Sequence, residues 1–506
     1  MSVKHCLDSP GTEGVSALSC YSHWSTAWLG MLPVLFGACS PACAMDPLLT
    51  GRSIPLTAAA AMLDDGRAGI CVFDTLPDPL QLQDAVERAL CSNPKTREAW
   101  AQVKIQAAGV GIGRAAYLPT VTASWQGVRD DTATDVTGYP RYSSNYRNGS
   151  LRTDSVSLSW VLYDFGGRKA ALANATALLA AAEASQQAAL ETTFATVAKD
   201  YYAAQAAQGA FVATQEIERT ANDSFKAAAV RVDKGIAPVT DELQAQTSWA
   251  EAIVNRTKAQ GDWQTALGTL AADMDLAPSL PITLPDVGDG MAPGSEFDDS
   301  VTDLIQQAER SHPSVLAAQA QVEAALAKVK QTRAEELPSL SFVAKYSRNN
   351  QPTSLDVGFP QLPATGHEWY LGFQLTIPLF EGFGRTYQIR EAEAQTELQR
   401  DTLNEVQQQV GLDVWNSYQA LKTTSRNLAN DAMLLDVAQR SYAAAQRRYQ
   451  VGVGNILELL NAQSSLAGAK RLRIQGLTDW RSARLQLAAK LGKLGMWDIE
   501  SSRELK

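Results

Sequence analysis

From Arg168 to Lys234 the chain holds an alanine-rich, glycine-poor helical pattern. At 1.5 Å per residue it would extend about 100 Å. A helix of that length is out of scale for one globular domain, so the fold has to be elongated and needs a partner along the whole rod. The pattern halts at Gly235 and restarts at Asp241, then runs to about Asp275. A helix that stops at glycine and resumes within about five residues is a hairpin tip, because glycine supplies the left-handed C-cap and an acid suits the next helix start.

The same arrangement recurs downstream. Arg448-Tyr-Gln-Val-Gly452 through Glu458 and Ala462-Gln463 echoes Arg231 to Gln246, placing an arginine, a glycine, an acid and an Ala-Gln at matching positions. Leu162-Tyr-Asp-Phe-Gly-Gly-Arg168 matches Leu379-Phe-Glu-Gly-Phe-Gly-Arg385, and Asp262-Trp263 matches Asp479-Trp480. Asn93-Pro94 and Leu118-Pro119 reappear as His312-Pro313 and Leu337-Pro338. Matches this numerous at one nearly fixed offset mark an internal duplication.

Each half opens with a helical pattern. In the first, Leu82, Ala85, Val86, Ala89 and Leu90 recur at helical spacing from Leu80 to about Tyr117. Leu118-Pro119 ends it, since the residue before proline is pushed out of helical geometry. Period-two segments follow: Val121, Ala123, Trp125, and then Val156, Leu158, Trp160, Leu162 against intervening serines. In the second half, Leu340, Phe342, Ala344, Tyr346 and Leu371, Phe373, Leu375, Ile377 repeat the pattern. These are four strands, each with one apolar and one polar face. The stretches 129–150 and 348–368, rich in polar and turn residues, read as exposed loops.

The expected organisation is a leader at 1–44, an extended arm at 45–79, a first repeat at 80–276, a Pro- and Gly-rich linker at 277–300, a second repeat at 301–495 and a tail at 496–506. Within each repeat, the return helix and the opening helix placed end to end nearly equal the long one and could lie beside it. Four amphipathic strands cannot close a barrel alone, and an open edge is not tolerated in lipid. Three chains would supply twelve strands and close. The expected fold class is therefore a membrane α+β protein: a trimeric twelve-stranded outer-membrane β-barrel, four strands per chain, continued by a long α-helical barrel. An ordinary sheet in a soluble protein is the competing reading.

The net charge of −10 and the lack of a Lys/Arg cluster disfavour a nucleic-acid partner. Trp24–Ala38 is an apolar stretch of signal-core length followed by the small-x-small sequence Ala42-Cys43-Ala44, which reads as an export signal, with Met31 an alternative start. Phe36-Gly37-Ala38-Cys39 is a poor lipobox. Of the six cysteines, a mature chain would keep Cys71 and Cys91, either as one disulfide or as two buried thiols.

The duplicated helix–strand–strand–helix plan, the Pro378-Leu-Phe-Glu-Gly-Phe-Gly-Arg385 turn and the Tyr449-x-Val-Gly452 tip resemble the TolC family of outer membrane factors, over essentially residues 80–495. The arm with Cys71 and the run Leu82–Arg97 are more similar to members serving type I protein secretion. The resemblance implies a homotrimeric β-barrel in outer-membrane lipid with a helical tunnel across the periplasm of a Gram-negative bacterium. It also implies docking to an inner-membrane ABC transporter through a periplasmic adaptor, and export of a protein toxin. A small-molecule or drug efflux duct uses the same architecture.

By the same resemblance, a periplasmic gate is expected from Tyr449 with Thr240 and Asp241, at the tips turned by Gly235 and Gly452. The family's latch arginine falls on Gly454 and is missing. The acidic pore ring falls on Glu458 and Asn461, so only Glu458 keeps a charge; a solvated acid at a helix start is the plainer account of it. No enzyme site, cofactor or metal is expected: the four histidines (His5, His23, His312, His367) support no ligand or triad spacing, and Gly109–Gly113 follows a helix instead of a strand. A soluble periplasmic rod is the main competitor from another class, with an enzyme behind it.

Overall fold

The computed structural model describes residues 46–54, 71, 73, 75–134, 145–289, 300–350 and 364–493. The expected leader (1–44), Cys39 within it, and the tail 496–506 lie outside the described residues. Leu48–Lys506 form one compact unit; of the preceding unit, 1–47, only Asp46 and Pro47 are described.

Twelve elements make up the two repeats. The first contains α1 (Leu82–Ser92), α2 (Pro94–Ala115), β1 (Thr120–Thr134), β2 (Asn145–Tyr163), α3 (Gly167–Asp233) and α4 (Val239–Asp273). The second contains α5 (Val301–Ser311), α6 (Pro313–Ala334), β3 (Ser339–Asn349), β4 (Gly366–Thr376), α7 (Gly384–Gln450) and α8 (Ile456–Lys490). Helix boundaries repeat at an offset of 219 before the strands and 217 after them. The sheet carries the same offsets: Thr120 faces Ser159 in the first hairpin, and Ser339 faces Thr376 in the second. The duplication therefore extends to the hydrogen-bond register.

The opening helix expected over Leu80–Tyr117 is broken in two, and the break is duplicated. Pro94 and Pro313 each occupy the first turn of a new helix, where a missing N–H costs nothing. The Asn93 side chain accepts from Lys95 N at 2.9 Å, and His312 Nδ1 accepts from Ser314 N at 3.2 Å, so the residue before each proline caps the helix after it. The long helix α3 packs against α1, α2 and α4 of its own repeat, and against α6 and α8 of the other. Helix α7 packs against α5, α6 and α8. The end of α4 meets the α1–α2 junction, where the Asn93 side chain donates to the Asp273 carbonyl at 3.0 Å.

The four strands form one antiparallel sheet in the order β1-β2-β3-β4. Strands β1 and β2 are longer than expected: 129–134 and 145–150 pair as a ladder where a loop was expected, with Arg129 opposite Ser150. The second hairpin likewise takes 348–349 and 366–368 from the expected loop. Backbone pairing does not require an apolar face, so the strands continue where the alternating pattern has ended. One face carries hydroxyl ladders, with Thr122 and Ser157 Oγ atoms 2.7 Å apart and Ser124 and Ser155 2.8 Å apart. The other presents Val121, Trp125, Val156, Leu371 and Phe373, all exposed. Nothing within the chain covers that apolar face among the described residues. No described helix is long and apolar enough to cross a membrane.

Helices meet the sheet at duplicated arginine clasps. Arg168 pairs with Asp164 at 3.0 Å and donates to the Val161 and Leu162 carbonyls. Arg385 pairs with Glu381 at 2.6 Å and donates to the Glu335 carbonyl. Within the segment expected as a linker, the described residues 281–285 form a packed strap. Ile282 and Leu284 are buried against Leu190, Phe194 and Leu270, and the Gln208 side chain donates to the Leu284 carbonyl at 3.1 Å. Leu80 N donates to Thr283 O, and Tyr201 Oη donates to Leu80 O, so arm and strap close over α3 together.

Candidate functional site

The tips lie at the far end of the long helices from the sheet. In the first, Gly235 adopts φ +70° and donates to Val232 O at 2.9 Å, while Ile236 N reaches Arg231 O at 2.9 Å. In the second, Gly452 at φ +85° donates to Tyr449 O at 3.1 Å, and Val453 N reaches Arg448 O at 3.0 Å. This paired bonding ends a helix at a left-handed residue, which is why glycine stands at both positions. The following helices restart with acids in the first turn, Asp241 and Glu242 in α4 and Glu458 in α8. Asn455 caps α8, its Oδ1 accepting from Leu457 N and Glu458 N.

Between the hairpins lies a small core of Ala228, Ala245, Ala445, Tyr449, Ile456 and Leu459. Tyr449 is only 5% exposed, and its Oη forms no hydrogen bond among the described residues. Its partner is Arg231: the guanidinium lies 4.7 Å from the Tyr449 ring centroid, and Nη1 donates to the Tyr449 carbonyl. Burial raises the Tyr449 pKa; the charge of Arg231 works against this, and that of Asp241 adds to it. Asp241 is thus near enough to act electrostatically without bonding the phenol. Thr240 lies beside it in the first turn of α4.

Two expectations change here. The Tyr449 hydroxyl does not meet Asp241 or Thr240 within one chain; an arginine from the first hairpin engages the ring and carbonyl instead. Arg231 was visible in the sequence as a repeat marker, but the sequence holds no signal for its contact with Tyr449, 218 positions away. Glu458 is also not a free carboxylate. Its Oε1 lies 3.3 Å from Arg448 Nε, so part of its charge is balanced at the tip. Gly454 has a steric reason: a Cβ there would stand 2.9 Å from Tyr449 N and 3.0 Å from the Arg448 carbonyl carbon. No side chain fits that turn without displacing backbone.

Cys71 and Cys91 are bonded, joining the arm to the buried face of α1, with Arg88 4.9 Å over the neighbouring Phe73 ring. No group of three or more His, Cys, Asp or Glu side chains among the described residues is placed to hold a metal ion.

Comparison with known proteins agrees with this geometry. The outer membrane efflux protein family matches residues 85–274 and 304–493, one match for each repeat. Protein CyaE of Bordetella pertussis is 31% identical over 426 residues, covering 84% of this chain and 86% of that protein. Outer membrane efflux protein BepC of Brucella suis biovar 1 is 26% identical over 402 residues, covering 79% and 82%. The crystal structure of the outer membrane protein VceC from Vibrio cholerae shares the fold at a TM-score of 0.68 and 20% identity, covering 81% of this chain and 96% of that one.

Proposed function

Since the chain belongs to the outer membrane efflux protein family, an outer-membrane location with a tunnel reaching into the periplasm is its premise, and we propose that three copies close into one conduit serving type I secretion. The observation that carries the ring is an interface made once inside the chain and left open once. Helix α3 packs against α6 and α8 of the second repeat, whereas the equivalent packing of α7 on α2 and α4 is not an extended contact within the chain. Strand β2 pairs with β3, while β1 and β4 are free edges among the described residues. A heterologous interface of this kind is satisfied by the next copy and closes into a ring. The exposed apolar face of the sheet then meets outer-membrane lipid, and no edge is left unpaired.

The duplication also gives the register of the missing pair. Leu158 faces Ala344 between β2 and β3. Transferring that pair by the repeat offsets sets Leu375 of one copy opposite Trp125 of the next. Leu375→Cys with Trp125→Cys is expected to give covalent trimers on oxidation, with Leu375→Cys and Gln126→Cys as the off-register control. Monomeric protein that stays soluble without detergent would overturn the ring.

The cargo reading rests on two points: the resemblance of the Cys71 arm and Leu82–Arg97 to secretion members, and the higher identity to protein CyaE than to BepC. On it the conduit works with a periplasmic adaptor and an inner-membrane ABC transporter, which supplies the energy, and passes a protein toxin. The second reading, a small-molecule efflux duct, is favoured by the name of BepC, an outer membrane efflux protein. Deleting the gene separates them: loss of toxin from culture supernatant supports secretion, and unchanged export with raised antibiotic sensitivity rejects it.

A further inference from the structure

A cleft of about 500 Å³ lies between the middle of α3, α7, the last turn of α8 and the α5–α6 junction, away from the tips. That is the size of many small-molecule pockets. Into it faces Glu191, only 3% exposed. Gln187 donates to Glu191 Oε1 at 3.3 Å, while the buried Oε2 has no hydrogen-bond partner. A buried, unpartnered carboxylate oxygen is costly, and a bound cation with N–H donors would relieve it.

The other charges around the cleft are already committed or exposed. From α7 and α8, Asp413 and Lys490 pair with each other at 2.7 Å. On α3, Asp200 is half-buried and close enough to Asp273 of α4 to raise its pKa, and Lys199 is exposed. At the α5–α6 junction His312 is kept towards its neutral form, first by burial and then by Lys490. Among the described residues, Glu191 is therefore the one buried carboxylate of the cleft with an open acceptor. Above neutral pH an anion would meet the charges of Glu191 and Asp413 together, which favours a cationic ligand. A multivalent metal would need further ligands that the described residues do not bring together. Val410 and Ala489 add apolar walls suited to methylene groups.

We propose that this cleft binds a protonated aliphatic amine, with the ammonium paired to the Glu191 carboxylate and the carbon chain along Val410 and Ala489. The second repeat has Gln408 at the position equivalent to Glu191, so each chain carries one such site. Burial lifts the Glu191 carboxyl to about 7, outweighing the bond from Gln187. Binding therefore strengthens as pH rises through neutrality.

The test is calorimetry on the detergent-solubilised assembly at pH 8, with 1,4-diaminobutane and butylamine as probes and 1-butanol and potassium as controls. Saturable amine binding in roughly the millimolar range or tighter is expected, at one amine per chain. It should weaken at least tenfold in Glu191→Gln and at pH 5.5, with no binding of butanol. Thr192→Leu, which fills the cleft from its exposed side, should abolish binding with Glu191 intact and covers a failure of Glu191→Gln to assemble. Absence of amine binding, equal binding of butanol or potassium, or undiminished binding in either variant overturns the proposal.

Discussion

Arg231→Ala should open the periplasmic mouth. In the chain, Arg231 ties the two hairpins together twice, by its guanidinium over the Tyr449 ring and by its bond to the Tyr449 carbonyl. A partly desolvated cation–π contact contributes about 1 kcal/mol and a charge-assisted hydrogen bond about 1.5 kcal/mol. Allowing for residual solvent access, losing both costs the closed arrangement about 2 kcal/mol per chain, roughly 30-fold. With three chains opening together the shift is about 6 kcal/mol. That exceeds the ~5.5 kcal/mol needed to move a two-state equilibrium from 1:99 to 99:1. Single-channel recording in planar bilayers should show a low-conductance wild type and a persistently high-conductance Arg231→Ala. Arg231→Lys, which keeps charge but not the planar fork, should fall between them. Tyr449→Phe keeps the ring and loses only a hydroxyl with no bond among the described residues, so it should stay closed. If Arg231→Ala leaves conductance unchanged, or Tyr449→Phe opens as widely, Arg231 is not what holds the mouth closed.

Three further outcomes follow from other parts of the molecule. Replacing Cys71 and Cys91 by serine removes a bridge spanning a sequence separation of 20; on the chain-entropy account this costs about 3 kcal/mol, seen as a lower denaturant midpoint, and an unchanged midpoint would mean the strap alone holds the arm. Glu191 is raised from an ordinary 4.5 to about 7, so between those values the folded state retains a proton that the unfolded state has released. Stability should fall as pH climbs through that window and level off above it; Glu191→Gln should flatten the profile and gain about 3 kcal/mol at pH 8, and a wild-type profile with no slope there would contradict the burial argument. Gly454→Arg restores a charge but drives a Cβ against Tyr449 N; a loss of about 1–3 kcal/mol at the tip should appear as faster limited proteolysis near 451–455, and unaltered cleavage would remove the steric reason for glycine there.

Much of the fold was legible because its signals are local and repeated. The ends of α3 at Gly167 and Asp233 follow from the Gly-Gly-Arg turn and the Gly235 cap, and the same reasoning holds 217 residues later. The strands were legible only where one face is apolar: at 129–134 and 145–150 the sequence is largely polar at successive positions, and the periodicity signal disappears while the ladder continues. The breaks at Asn93-Pro94 and His312-Pro313 were present as matched dipeptides, yet read as repeat markers and not as caps. The strap at 281–285 looked like a linker because its prolines and glycines outweighed Ile282 and Leu284, whose burial depends on partners from α3 and α4. At the tips, the turns could be read from composition. The Arg231–Tyr449 contact could not, because it joins hairpins that meet only after both repeats have folded.

The duplication is the reason one chain can hold both a complete and an incomplete version of each interface. The β2–β3 pairing and the α3–α6 packing fix within one molecule the geometry that the next copy must reproduce. The sheet cannot close on itself at four strands, and among the described residues β1 and β4 keep unpaired edges that the next copy would take up. The two repeats have diverged where they do not share that task. Ala237 and Pro238 of the first tip stand where the second has Gly454 and Asn455, so the turns differ in sequence while their glycine caps coincide. Only the second of these turns supplies a side-chain cap to the helix that follows, since Asn455 accepts from α8 and Pro238 has no such group. Glu191 and Gln408 stand at equivalent places on the long helices, giving the rod one buried acid per chain instead of two. Ring-forming surfaces are therefore held in common between repeats, and chemistry at the mouth and in the mid-rod cleft is confined to one side of the repeat. A variant that makes the two tips identical, by replacing 236–238 with the residues at 453–455, should accordingly leave assembly intact and change only conductance. Loss of the assembled ring in that variant would show that the tips help to hold the copies together.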